Sequence, residues 1–433
     1  MPIRHLRYID LFAGMGGIRL GLVQACQDKG ITTECVFTSE IKEAAIQVYN
    51  QNHPGEPITG DITKVEAKDI PSFDILLAGF PCQAFSYAGK GEGFADATRG
   101  TLFFDVLRIL NEKKPLGFIL ENVEGLVSHD EGRTFKTIIQ CLEENYKVSA
   151  RVLNAKDFGV PQDRKRIYIL GVKKNKRKVN LEAFPEVRST VGDILEHGLP
   201  LSDTPFTRNL LAHYSIEEVE GKKIKDKRGG ADNIHSWDLE VKGQVSEDQK
   251  ALLNEMLKAR RQHKWAEEWQ IDWMDGMPLT IQQIRTFYKH PHLQQMLNDL
   301  TAKGYVVFEH PKKKVTEFRE VNGRTVPVSH REPDLTKAKG YNIVAGKLSF
   351  EVSEILSRRK IAPTLVAMDM HRIHVVDGDG IRQLSLREGL RLFGYPDDFK
   401  FDIKVSDGYD LLGNTVVVPV IKAVASRLID SIN

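Results

Sequence analysis

Cysteine is scarce in this chain. Its 433 residues hold four, Cys26, Cys35, Cys82 and Cys141, widely separated and without a CxxC pair. That spacing excludes a disulfide framework and argues against a structural zinc or other metal site. Long apolar runs are missing as well. Nothing approaches the roughly eighteen residues needed to span a bilayer, and the opening MPIRHLRYID enters a strand pattern without a signal-peptide core. The expectation is a cytoplasmic protein with no membrane association. An excess of one charge is also absent: with 41% hydrophobic and 28% charged residues and a formal net charge of +2, the composition is that of an ordinary globular protein. The cations gather locally instead, at 173–178 (KKNKRK), 222–228 (KKIKDKR), Arg260 with Arg261, and 312–314 (KKK). Such patches suit phosphate contacts, and equally suit solvated loops. The length allows about three domains, or two large ones.

What is present is an alternation of strand and helix. Residues 7–22, RYIDLFAGMGGIRLGL, run from an apolar strand through a glycine-rich turn into an amphipathic helix carrying Ile18 and Leu22. This is the first βα unit of a nucleotide-binding sheet, in which Gly14, Gly16 and Gly17 permit a tight turn and bring a helix N-terminus to a ligand. The pattern is not a full GxGxxG, and no lysine stands at the turn to meet a pyrophosphate. Glu40 follows a second apolar run, 35–37, where an acidic residue accepts from ribose hydroxyls. The alternative is that Glu40 caps the helical run 40–50. Gly60-Asp61-Ile62 closes a third unit, and the acidic pair Glu40 and Asp61 suits a ligand with ribose and amino groups.

A fourth apolar run, 73–77, leads into AGFPCQAFSYAGK at 78–90. Cys82 therefore sits on a loop at the C-terminal end of a strand, where open α/β sheets place ligands. Pro81 fixes φ at about −65° before it, and Gly79 permits close approach. A single cysteine is otherwise a small buried hydrophobe. Helical periodicity over 101–110 precedes another strand, 117–120, which ends in Glu121-Asn122-Val123 and brings a carboxylate beside the Cys82 loop. In GVPQDRKRIYILGV (159–172), Gln162, Arg164 and Arg166 alternate on one face. A guanidinium offers fixed donors for a carbonyl oxygen or carboxylate, with solvated edge arginines as the alternative.

The ordered series DLFAGMGG, Glu40, GDI, GFPCQAFS, ENV, QDRKR, REGLRLFGYPDDF (387–399) and GNTVVVPV (413–420) resembles the motif series of the DNA cytosine-5 methyltransferases of bacterial restriction-modification type. It covers residues 7–172 and 361–430 in the family's order. The resemblance implies an α/β fold: a Rossmann-like S-adenosylmethionine-dependent domain with a mainly parallel sheet, plus a smaller α+β target-recognition domain. It implies domain limits of 1–190 for the first catalytic part, 191–360 for target recognition, 361–400 for a hinge and recognition-domain motif returning to the large domain, and 401–433 for the last catalytic part.

By the same resemblance Cys82 is the nucleophile that adds to carbon 6 of cytosine. Glu121 holds ring N3 and the exocyclic amine, Arg166 holds O2, and Arg164 supports the thiolate end of the pocket. The cofactor, S-adenosylmethionine, which leaves as S-adenosylhomocysteine, would lie against Phe12, with Gly14, Met15 and Gly17 near its methionine part. Glu40 would hold its ribose, with Ile41 beside the adenine, Asp61 and Ile62 at the adenine edge, and Pro81, Leu102, Asn414 and Val416 completing the pocket. Ile41 stands where the family often has an aromatic residue. The C-terminal helix, 418–432, should pack beside the first helix. The implied partners are double-stranded DNA and a cognate restriction endonuclease acting on the same site, and no metal is required. A target base must be flipped out of its duplex, and the glycine-rich loop 86–101 is placed to close over it.

The resemblance gives no residue-level help in the middle third. Read directly, 279–287 and 293–303 are two short amphipathic helices, 304–308 a strand, and 312–328 a basic hairpin with an Asn322-Gly323 turn. A winged-helix-like reader fits this order, as does a plain α+β subdomain. Tryptophans at 265, 269 and 273 with Arg260, Arg261 and Lys264 form an aromatic and basic stripe, with core packing as the simpler reading. Competing functions are an RNA (transfer RNA) cytosine-5 methyltransferase, against which the long middle domain stands, and a catalytically silent DNA-binding relative, against which the intact Cys82, Glu121 and Arg166 stand.

Overall fold

The computed structural model describes residues 3–81, 102–227, 229–230, 232–321, 324–344 and 350–433. Cys82, the loop 86–101 and the Asn322-Gly323 turn lie outside the described residues. Among those residues no helix is long and apolar enough to cross a membrane. The chain divides into two compact units. The first comprises Met1–Leu199, Ser357–His371 and Gln383–Asn433, the second Pro200–Leu356 and Arg372–Arg382.

The first unit is built on six strands: β1 (His5–Leu11), β2 (Thr32–Ser39), β3 (Ile75–Ala78), β4 (Gly117–Val123), β5 (Tyr146–Asn154) and β6 (Lys165–Lys173), in the spatial order β2-β1-β3-β4-β6-β5. β1 pairs in parallel with β2 and β3, and β3 with β4. Only β6 is reversed, antiparallel to both β4 and β5. β3 is apolar and buried at all four positions, as expected of a strand covered on both faces. Helices Gly17–Gln27, Leu102–Lys113 and Arg133–Glu143 supply much of that cover. Phe103, Ile109, Phe118, Ile138 and Ile169 share one core, each such side chain contributing about 1.5–3 kcal/mol by its removal from water.

Two consequences of this topology position the site. The parallel strands bring the C-terminal ends of β1, β2, β3 and β4 to one edge of the sheet, and the reversed β6 brings its N-terminal end to that same edge. Ala78 thus pairs with Leu120, and Val123 with Arg166. The second is closure of the chain on itself. Helix Val418–Ile432 packs on helix Gly17–Gln27, where a Cβ at Gly21 would stand 2.6 Å from Ile421, and ion pairs Lys422–Asp28 (2.8 Å) and Lys29–Asp430 (2.6 Å) flank the contact.

The second unit contains a five-stranded sheet in the order Gly380–Gln383, Ile373–Asp377, Glu354–Leu356, Lys223–Ile224, Asn233–Ile234. Ile373–Asp377, within the stretch 361–400 expected as hinge and recognition-domain motif, pairs with Glu354–Leu356 in this sheet. A separate core joins Trp237, Leu253, Met256, Trp265 and Leu297. Trp265 is a core residue whose indole N–H donates to the Ala259 carbonyl at 2.7 Å, while Trp273 stacks on His263 with ring centroids 4.6 Å apart. Helices Ile281–Arg285 and Leu293–Ala302, strand Val306–Glu309 and a hairpin, Lys312–Val321 with Arg324–Pro333, follow in the expected order. The strand, however, pairs with Gly340–Ile343, and the hairpin forms a sheet of its own. That departs from a winged helix, in which strand and wing share one sheet.

Candidate active site

The sheet edge of the first unit opens into a cavity of about 450 Å³. Its floor is the turn after β1. Phe12 has φ +54, left-handed backbone that a bulky side chain adopts only under constraint, and Gly14 follows at φ +56. A side chain at Gly17 would collide with the Tyr395 hydroxyl and with Val416, so only glycine lets the helix begin this close to the C-terminal segment. Phe12, Gly14, Met15 and Gly17 all line the cavity.

Glu40, at the end of β2, holds this turn in place. One carboxylate oxygen accepts the Gly14 N–H at 2.7 Å, and the other accepts those of Ile41 and Lys42, each at 2.8 Å. A carboxylate has about four lone-pair positions, so three are occupied and one remains for a ligand hydroxyl. The two sequence readings of Glu40 are therefore compatible: it secures the backbone entering helix Glu43–Asn52 and still faces the cavity. Ile41 is 72% exposed on the rim. Asp61 and the buried Ile62 lie on the wall. Asp61 accepts from the Thr63 N–H (3.0 Å) and hydroxyl (2.7 Å), which hold its carboxyl below the usual range. Pro81, Leu102, Asn414 and Val416 line the cavity too, and Asn414 donates to the Asp410 carbonyl at 2.9 Å.

The other side of the same cavity is charged. Glu121, on the last turn of buried backbone in β4, lies 3.3 Å from Arg166 on β6, a diagonal pair set by the Val123–Arg166 register. Burial raises the Glu121 carboxyl above its ordinary pKa, with Arg166 and Arg164 opposing. A protonated carboxyl is both donor and acceptor, which the ionised form is not. Its Oε2 would stand 3.8 Å from a Cβ at Gly79, so the acid abuts the chain that leads to Cys82. Cys82 itself lies outside the described residues.

Arg164 is 2% exposed and serves as a brace. Its terminal nitrogens donate to the carbonyls of Leu365 (3.0 Å), Gly413 (3.1 Å) and Thr415 (3.0 Å), and its guanidinium lies 5.0 Å from the Phe393 ring centre. Burial, reinforced by Arg166, lowers its pKa to about 10. The Nε has no partner among the described residues.

Four neighbours carry structural roles the motifs did not reveal. Asn122 donates to the Phe80 carbonyl at 2.8 Å and so ties β4 to the start of the cysteine loop. Tyr395 and Thr415 join hydroxyls at 2.7 Å beneath the glycine turn. Asp10, in β1, is wholly buried with neither oxygen partnered among the described residues, and burial raises its pKa well above the carboxylate range. All four fall inside quoted motifs, DLFAGMGG, ENV, REGLRLFGYPDDF and GNTVVVPV, so position in a motif was the available signal.

Comparison with known proteins agrees with this geometry. The family model for C-5 cytosine-specific DNA methylases matches residues 6–430. The Type II methyltransferase M.NlaIV of Neisseria lactamica is 57% identical over 438 residues, covering 99% of this chain and 100% of that protein. M.NgoBV of Neisseria gonorrhoeae is 56% identical with the same coverage. Among solved structures, the Entamoeba histolytica methyltransferase EhMeth superposes with a TM-score of 0.51 at 15% identity, covering 99% of each chain, a likeness of fold. With the match running nearly end to end, this chain belongs to the C-5 cytosine-specific DNA methylases, enzymes that methylate carbon 5 of cytosine in DNA.

Proposed function

We propose that this chain is the modification enzyme of a Type II restriction-modification system. It methylates one cytosine, turned out of a specific DNA duplex, and so shields host DNA in the cytoplasm from a cognate endonuclease. The observation that carries this reading is the pairing of buried Glu121 with Arg166 on the wall of a cavity whose far side is the glycine turn braced by Glu40. The cavity suits S-adenosylmethionine: its volume is in the usual range for a small-molecule site, Phe12, Ile41 and Leu102 offer apolar surface, and Glu40 keeps an acceptor position open for a ribose hydroxyl. When bound, that cofactor supplies an electrophilic methyl group.

The remaining chemistry belongs to the chain. Carbon 5 of cytosine is too electron-poor to attack unaided. The Cys82 thiolate forms a bond to carbon 6, and the displaced ring electrons make carbon 5 nucleophilic. Glu121, whose pKa burial raises, shares a proton with ring N3 and accepts from the exocyclic amine, which draws off charge as the adduct forms. Arg166 meets O2. Arg164 acts at one remove, as a positioning residue that fixes the C-terminal segment lining the cavity. Once carbon 5 carries the methyl group, loss of its proton returns the electron pair to the ring and expels the sulfur from carbon 6.

The test is covalent capture. A duplex in which 5-fluorocytosine replaces cytosine cannot lose a proton from carbon 5, so the full-length enzyme with S-adenosylmethionine should form a complex that survives denaturing electrophoresis, and Cys82→Ala should form none. Methylation undiminished in Cys82→Ala would overturn the proposal. So would methyl transfer to transfer RNA in preference to duplex DNA.

A further inference from the structure

Among the described residues, none of the hairpin's side chains belongs to a core of the second unit. Its strands, Lys312–Val321 and Arg324–Pro333, are ten residues each and pair only with one another among the described residues. At 3.3–3.4 Å per residue the ribbon is roughly 33 Å long. A protein gains nothing in folding from so long an uncovered ribbon, and uncovered edges invite aggregation. Its base is nonetheless fixed, with Arg331 donating to the Trp273 carbonyl at 2.8 Å and Asp334 N–H to the Pro311 carbonyl at 2.8 Å.

The two faces differ in kind. Register puts Lys314 opposite Arg331 and Thr316 opposite Ser329, so these residues share a face with Lys312 and Phe318. On the other face Lys313 stands 3.6 Å from Glu332 and His330 3.8 Å from Glu317. On the first face Lys312 and Lys314 have no carboxylate partner among the described residues, and Glu320 lies toward the far end. Phe318 is 71% exposed, an expensive position for a phenyl ring on a solvated arm. Thr316 and Ser329 hydroxyls meet at 2.9 Å and can donate or accept outward.

We propose that this face of the ribbon enters the major groove of the DNA substrate, with Lys312 and Lys314 on phosphates and Phe318, Thr316 and Ser329 against base edges. The major groove is about 12 Å wide and admits a two-stranded ribbon, and apolar contact with thymine methyl groups is one of its reading modes. The inference rests on duplex DNA being the substrate, and the experiment separates the two. Methyl transfer to plasmid DNA is followed with the full-length enzyme at several salt concentrations. The double variant Lys312→Ala with Lys314→Ala should raise KM for DNA and flatten the slope of log KM against log salt by about 1.8, two phosphate contacts' worth. Lys312→Arg with Lys314→Arg should restore the slope. Phe318→Ala should raise KM for DNA about 5-fold or more with the slope unchanged. All variants should keep the cofactor affinity of the unaltered enzyme. Unchanged KM and slope in the alanine variants, with normal transfer by the unaltered enzyme, would overturn the ribbon's role alone. Absence of transfer by the unaltered enzyme to any duplex would overturn the proposed function, and this inference with it.

Discussion

Glu40 accepts the backbone N–H of Gly14 at 2.7 Å across 26 residues of sequence, joining the loop that ends β1 to the loop that ends β2. The carboxylate thereby fixes the turn on which a cofactor would rest, besides offering it an acceptor. Glu40→Ala removes three charge-assisted hydrogen bonds to main chain, each worth about 1.5–3 kcal/mol. Binding of S-adenosylhomocysteine, measured by calorimetry, should weaken at least about tenfold, while Glu40→Gln, which keeps one accepting oxygen, should fall between.

Glu121→Gln tests the proton. The variant keeps shape, one acceptor and an N–H donor but cannot transfer a proton to ring N3, so kcat should fall by about 10²–10⁴ with little change in cofactor affinity. Burial raises the Glu121 pKa, and because the proposed step uses the protonated form, the rate of the unaltered enzyme should decline as pH rises through that raised value. That alkaline limb should be missing from the residual activity of the variant.

Arg164→Ala should act on stability before it acts on chemistry. It removes one guanidinium from two buried carbonyls and a part-buried one, and they lose that donor. Unfolding in urea should show a loss on the order of 3–5 kcal/mol, and cofactor binding should weaken with it because Gly413 and Thr415 line the cavity. Arg164→Lys, with a point charge in place of a fork, should recover only part of the loss.

Asp10→Asn should stabilise the protein at neutral pH. The native carboxyl holds its proton because burial disfavours the charge, whereas the unfolded chain releases it near the ordinary value. The native state therefore binds more protons, and stability falls by up to about 1.4 kcal/mol per pH unit between the unfolded and folded pKa values. Asparagine has no such proton to lose. Melting temperatures taken from pH 4 to pH 8 should fall less steeply for the variant than for the unaltered protein.

Much of the first unit was legible in the sequence because its strands are short, apolar and punctuated by glycine or proline, and because chemistry-bearing residues cluster at their C-terminal ends. β3, with the loop after it, and β4 with Glu121 are examples. The reversed β6 was less so, since direction leaves no mark on alternation; it follows only from the pairing that sets Val123 beside Arg166. Arg164 and Arg166 looked alike in the sequence, two residues apart on one face, yet one braces main chain and the other meets Glu121. What separates them is the position of segments some two hundred residues away. In the second unit the order of helices, strand and hairpin was readable from local pattern, but which strand pairs with which was not, because long-range pairing is decided by tertiary packing. Asp10 was invisible as a buried acid, since a strand pattern does not distinguish a paired carboxylate from an orphaned one.

The brace formed by Arg164 also sets a clock on the birth of the enzyme. Its partner carbonyls lie 201 and 249 residues further along the chain, at Leu365 and Gly413. At a translation rate of roughly 5–20 residues per second, a nascent polypeptide waits on the order of 12–50 s between emergence of the guanidinium and arrival of its last acceptors. An unfinished chain on the ribosome that ends before Gly413 thus lacks both the brace's last acceptors and the segment that closes the chamber.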